Sequence, residues 1–195
     1  MSNKQIKIKL EGIGAGLMMH DSRLVDPLNP ISKKIAEISA RSKKTTDSNR
    51  ELARLEFLGG LWLNEDNRIV VKAEALEASL CKCAYAVAGK AVSKDKMAAS
   101  AMCLDSPVLI YDGPDDPEKL WETDRFVSRL PVKIGKARIM RTRPLFRKWS
   151  AVAVFDLDTG SVNEDVFIRI AEHAGQYVGI GDYRPRYGRF VVEKV

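Results

Sequence analysis

Two stretches of this sequence carry side chains suited to work on a polyanion. Tyr177 to Val192 holds three glycines, Gly179, Gly181 and Gly188. It also holds three arginines, Arg184, Arg186 and Arg189, and the tyrosines Tyr177, Tyr183 and Tyr187. Glycine lets a backbone approach a ligand and take positive φ without a Cβ clash. Arginine presents planar forks to phosphate, and tyrosine presents flat faces to bases. The second stretch, Arg129 to Lys148, has eight Lys or Arg and no Asp or Glu. Acid is concentrated just before it, from Asp112 to Asp124. Segregation of this kind says more about a partner than the net charge of +6 does. The nucleic-acid-binding set expected from these stretches is Arg138, Arg141, Arg143, Arg147, Lys148, Gly179, Gly181, Tyr183, Arg184, Arg186, Tyr187 and Arg189. The arginines would hold phosphates. Tyr183 or Tyr187 would stack on a base, worth about 1–3 kcal/mol per base in such sites. The competing reading makes the arginines a solvated face and the tyrosines core.

A different chemistry is conceivable at His20, Asp21 and Asp26. An imidazole and two carboxylates are general acid/base groups, and they would make the chain an endoribonuclease if they stood within hydrogen-bond reach of a scissile bond. The opposing reading is that Asp26-Pro27 and Asn29-Pro30 are ordinary turn formers. As a nuclease the chain would be metal-independent or metal-assisted; no cofactor is expected. Three cysteines, Cys81, Cys83 and Cys103, and two distant histidines, His20 and His173, make a poor zinc set, so no metal is expected. Gly12, Gly14 and Gly16 lack the spacing of a dinucleotide fingerprint, and no amphipathic helix opens directly after them.

The elements that must position these residues follow from periodicity. Lys4 to Leu10 alternates strictly and reads as a half-buried strand. Leu17 to Pro30 reads as a loop. Pro30 suits a first helical position, with Ile31, Ile35 and Ile38 at helical spacing up to about Lys44. Ser48-Asn-Arg-Glu51 is a capping-box pattern for a short helix through Leu55. Phe57 to Leu63 is expected to be extended, with a hairpin turn at Asn64–Asn67. Ala73 to Ala88 is the clearest helix, ended by Gly89. Ala98 to Tyr111 is expected to be extended in part. Lys133 to Thr142 alternates, with Lys136, Arg138, Met140 and Thr142 on one face, and Pro144 breaks it. Lys148 to Asp158 is a strand with Trp149, Ala151, Ala153, Phe155 and Leu157 on one side. Asn163 is an N-cap for a helix that Gly175 ends, and Tyr187 to Val195 is the last strand.

With loops removed, the order is β-α-β-β-α-β. The expected fold class is therefore α+β, a ferredoxin-like palm shared with RNA-recognition modules. A single domain spans residues 1–195. It has a finger-like insertion at 17–71 and a thumb-like insertion at 89–131, both too long for plain loops. No apolar run approaches the roughly 20 residues of a spanning helix. The first residues carry no signal-peptide core, so a cytoplasmic protein without membrane partners is expected.

The order above, closing on Val178-Gly-Ile-Gly-Asp-Tyr-Arg-Pro-Arg-Tyr-Gly-Arg189, resembles the RAMP superfamily of CRISPR-associated proteins. The nearest likeness is to the backbone subunits that coat guide RNA. Ile69-Val-Val-Lys-Ala-Glu-Ala-Leu-Glu-Ala-Ser-Leu80 takes the place of the family's turn and helix after the first insertion. The closest motif similarity lies in Gly175 to Phe190. The resemblance implies a palm with finger and thumb, binding to single-stranded RNA (DNA being the alternative), and self-association into a helical or head-to-tail oligomer along the strand. It implies other CRISPR-type subunits as partners, and an antiviral-defence setting. A solitary phage-borne relative that mimics or interferes with such a complex fits the same residues. In some relatives an Asp of the first insertion cuts target RNA, the region where Asp21 and Asp26 lie here.

Overall fold

The computed structural model describes residues 3–135 and 137–195. The alternating start forms β1 (Asn3–Gly12), with Ile6, Ile8 and Leu10 buried. A two-residue strand β2 (Leu17–Met18) follows. Helix α1 (Pro30–Ser39) opens where Asn29 Oδ1 accepts the Ile31 N–H at 2.9 Å, with proline in its first turn. Helix α2 (Thr46–Gly60) is capped by Thr45, whose Oγ1 accepts the Ser48 N–H at 3.1 Å. Helix α3 (Ala73–Ala88) ends at Gly89, and α4 (Lys94–Ser100) leads into β3 (Ala101–Cys103). Helix α5 (Pro117–Trp121) precedes the strands β4 (Val127–Ile134), β5 (Ala137–Phe146) and β6 (Ser150–Asp158). Asn163 caps α6 (Glu164–His173) by accepting the Val166 N–H at 2.9 Å, and β7 (Phe190–Lys194) closes the chain.

The result is a mixed α+β chain with antiparallel sheets. It divides into two compact units. The first comprises Met1–Leu17, Leu63–Asp112 and Phe146–Val195; the second comprises Met18–Trp62 and Gly113–Leu145.

The first unit is built on a four-stranded sheet in the order β3-β6-β1-β7. Register sets large against small in its centre: Ile8 faces Ala153 and Leu10 faces Ala151. Helices α3 and α6 pack together and bury Leu76, Leu80, Cys83, Phe167 and Ile170. Phe155 of β6 meets Phe167 of α6 at a ring distance of 5.2 Å. Burying such side chains contributes roughly 1.5–3 kcal/mol each. At the end of β1 the indole of Trp149 lies over Gly12, where any Cβ would overlap the ring. Cys103 is buried, and desolvation followed by the nearby Glu77 charge pushes its thiol up to about 12.

The second unit has a three-stranded sheet, β2-β5-β4, and a core of Met18, Met19, Ala53, Phe57, Leu61 and Leu120. Here the structure corrects several expectations. Phe57 to Gly60 is not extended: α2 runs on to Gly60, because Ala53, Phe57 and Leu61 are buried at a spacing of four, and the backbone becomes extended only from Leu61, with Leu63 bridging Ile69. Ser48 lies inside that helix rather than at its cap. Leu17 and Met18 pair as a strand rather than a loop. Pro144 does not end β5; it lacks an N–H, but its carbonyl accepts the Met19 N–H at 3.0 Å and the strand continues to Phe146. In the first unit, α6 does not stop at Gly175 but widens into a π-turn over Ala174–Val178. Lys136, read above as part of an alternating face, lies outside the described residues.

One ion cluster ties three elements of the first unit. Lys4 of β1 and Lys194 of β7 both reach Glu164 in the first turn of α6. Hydrogen bonds from Lys194 and Lys4 hold its carboxyl below the ordinary value of 4.5. A lowered folded value means that the stabilisation is complete above pH 4.5 and is lost as pH falls through the folded value. Glu164→Gln should therefore flatten the acid limb of the stability profile below that pH and leave its neutral and alkaline parts in shape. Urea denaturation as a function of pH would measure this.

Candidate nucleic-acid interface

In the first unit the predicted loop is held from three sides. The Gly188 N–H donates to the Gly16 carbonyl at 2.7 Å, and the Ile180 N–H donates to the Gly188 carbonyl at 2.9 Å. The buried hydroxyl of Ser79, on α3, donates to the Gly179 carbonyl at 2.9 Å. Gly188 has φ +77°, and a Cβ there would overlap the Ile180 carbonyl. Between these anchors the loop projects Tyr183, Arg184 and Arg186 into solvent. Tyr183 takes φ 57°, unusual for a residue with a Cβ, and its ring lies 5.9 Å from that of the half-buried Tyr187. The Arg189 guanidinium donates to the Pro185 carbonyl at 2.9 Å, bracing the loop from within.

The second basic element of this unit, Arg147 and Lys148, is exposed at the turn into β6. The two segments flank the same end of β1. The Gly12 N–H donates to the Trp149 carbonyl and the Ile13 N–H to the Arg189 carbonyl, both at 2.9 Å. Gly16, which receives Gly188, also packs against the backbone of Phe146 and Arg147. Arg147, Lys148, Arg184, Arg186 and Arg189 are thus brought to one end of one sheet. Asp182 is the one acid between Tyr177 and Val192.

Arg138, Arg141 and Arg143 belong to the second unit. Across the β4–β5 ribbon Arg138 stands directly opposite Lys133, both exposed, a like-charge pair that an anion would relieve. Arg141 is differently placed. It is paired with Glu56 of α2, and the second oxygen of that buried carboxylate accepts the Thr142 N–H at 2.9 Å. Glu56 went unnoticed in the sequence, where it looks like any helical glutamate. Arg143 lines a cleft of about 330 Å³ with His20, Glu56, Arg141 and Thr142.

The two carboxylate candidates have structural employment. Asp21 is fully buried; its Oδ1 accepts the Arg23 N–H at 2.9 Å and its Oδ2 meets the Arg23 guanidinium at 3.0 Å. Asp26 accepts the Leu28 N–H at 2.8 Å in a turn. His20 is exposed, and its carbonyl accepts the Trp62 indole N–H at 3.4 Å. Among the described residues no group of three or more His, Cys, Asp and Glu could hold a metal ion, and no helix is long and apolar enough to cross a membrane. Within the acidic stretch, Asp116 caps α5 and Glu118 pairs with Arg54 of α2.

Comparison with known proteins finds no family model that matches this chain and no curated protein that matches its sequence.

Two outcomes test this geometry. Gly188→Ala should cost about 1–2 kcal/mol for positive φ alone, with the carbonyl overlap added. Ser79→Ala should cost about 1–3 kcal/mol by leaving the Gly179 carbonyl unpartnered. Both should speed protease cleavage between Ile180 and Arg189. Separately, Glu56→Ala should destabilise by about 2–3 kcal/mol. That is less than the roughly 3–5 expected for a fully buried pair, because Arg141 keeps a third of its side chain in water. Thermal melts would read it.

Proposed function

We propose that this chain binds single-stranded nucleic acid, RNA in the first place, at the end of β1 in the first unit. The observation that carries the proposal is the joint anchoring of two basic segments on that strand end. Phosphates would lie on Arg147, Lys148, Arg184 and Arg186, and Tyr183 would stack on a base. Two exposed cationic segments with a tyrosine between glycines suit a flexible strand better than a compact ligand. The fold reading that goes with it is the ferredoxin-like palm. Its support is the strand order β3-β6-β1-β7, with α3 between β1 and β3 and α6 between β6 and β7 in the chain. Kinship with the RAMP superfamily, and assembly as a cytoplasmic oligomer along the strand, are part of the same proposal. They are supported by the likeness of Gly175 to Phe190 and by that order of elements. The nuclease alternative finds no support at Asp21 and Asp26, whose oxygens hold turns.

The test is a fluorescent single-stranded oligonucleotide titrated at several salt concentrations. The wild-type chain should show log K falling with log salt at about 0.7 per phosphate contact. The Arg184→Ala/Arg186→Ala double variant should weaken binding and reduce the slope by about 1.4. A wild-type chain that does not bind at low salt, or a double variant with an unchanged slope, would sink the proposal.

A further inference from the structure

The second unit carries a groove that the preceding proposal does not use. Three clefts, of about 330, 510 and 490 Å³, run on from one another. Glu56, Arg141 and Thr142 line the first and the second; Asn49, Ala53 and Arg129 line the second and the third. The groove lies between α2 and the β4–β5 ribbon.

Its chemistry changes along its length. The middle cleft gathers Lys44, Arg129 and Arg141, with one carboxylate, Glu56. That carboxylate is taken up by Arg141 and the Thr142 N–H. Lys44 and Arg129 are exposed and make no ion pair among the described residues. The middle cleft therefore holds two uncompensated cations. In the third cleft the half-buried Trp121 is braced on Phe57 at a ring distance of 5.6 Å, with Glu122 and Asp124 beside it. Neither of those carboxylates makes an ion pair among the described residues, although Arg50 and Arg129 line the same cleft.

Cations at one station and an aromatic face with two acceptors at the next fit the two ends of a nucleotide. We propose that this groove binds a nucleoside phosphate, with its phosphate on Lys44 and Arg129 and its base against Trp121. Carboxylates accept hydrogen bonds and cannot donate them. Glu122 and Asp124 thus favour bases carrying an exocyclic amino group, which donates, over uracil and thymine, whose single N3–H donor on that edge lies between two carbonyl oxygens that a carboxylate repels. An acidic peptide is disfavoured, because it would set negative charge along the whole groove and beside these two carboxylates, whereas a nucleotide carries its charge only at the phosphate end. The nucleoside phosphate is either a free nucleotide or one unit of a strand, and the two are separated by the choice of probe.

The full chain would be titrated by calorimetry with AMP, UMP, inorganic phosphate and a short adenylate strand. AMP should bind saturably, several-fold more tightly than UMP and far more tightly than phosphate. Arg129→Glu and Lys44→Glu, both at exposed positions, should each weaken it about tenfold or more. Glu122→Gln/Asp124→Asn should narrow the gap between AMP and UMP. The Arg184→Ala/Arg186→Ala variant should leave AMP binding unchanged, which separates this site from the loop of the first unit. If the strand binds saturably where AMP does not, and both charge reversals weaken it in the Arg184→Ala/Arg186→Ala background as well as in the wild type, the groove takes a nucleotide within a strand. The proposal falls if neither AMP nor the strand responds to Arg129→Glu and Lys44→Glu with the melting temperature preserved. It also falls if UMP or inorganic phosphate binds as well as AMP.

Discussion

The end of β1 is the constraint on which the first unit depends. One short backbone run, Gly12 to Gly16, makes ladder bonds to both of its neighbours in succession: Gly12 to Trp149, Ile13 to Arg189, and Gly188 back to Gly16. Residues nearly forty positions apart are thereby fixed at one sheet end. The absence of side chains at Gly12 and Gly188 is what permits it, since an indole covers one position and a carbonyl the other. A loop that would otherwise be free to wander has its entry and exit bound to the core through Ser79, Gly16 and Ile180. Folding thus fixes the backbone from which Arg184 and Arg186 project into solvent.

In the second unit a buried carboxylate has the corresponding role. Glu56 places α2 against β5 by accepting from a backbone N–H and a guanidinium at once. Charge-assisted bonds of this kind are the stronger ones, and a carboxylate left without them in a dry site is expensive. The pair also changes how the basic ribbon is to be counted. Arg141 carries a charge already answered inside the protein, whereas Lys133, Arg138 and Arg129 stand exposed. A stretch of eight cations is therefore a mixture of structural and available charges, and only the available ones can contribute to a salt-dependent interaction.

Much of this was legible in the residues. Strict alternation announced β1 and the buried side of β6, all five of whose expected inward residues are buried. Asn163 and Gly89 marked helix ends through chemistry that acts within a few residues. The turn at Asn64–Asn67 was equally local; the Asn64 N–H donates to the Arg68 carbonyl at 3.0 Å. The failures fell where a distant partner outvoted local preference. Phe57 to Leu63 was expected to be extended, yet the burial of Phe57 carries α2 to Gly60 before the chain straightens. Proline suggested a break at 144, yet a carbonyl partner at Met19 keeps the strand going.

The same division separates what each level of description decides for this protein. The sequence by itself determined the helix and strand types of its strongly periodic segments, the clustering of cations and the glycine-rich character of the last loop, because these depend on neighbours a few residues away. Tertiary structure alone decided that Ser79 would hold that loop, that Glu56 would take up Arg141, and that Asp21 would be a buried cap. It also decided that Lys44, Arg129 and Trp121 would line adjoining clefts. The Ser79–Gly179 and Glu56–Arg141 pairings join residues 100 and 85 positions apart, and their energies depend on burial and geometry that no local pattern encodes.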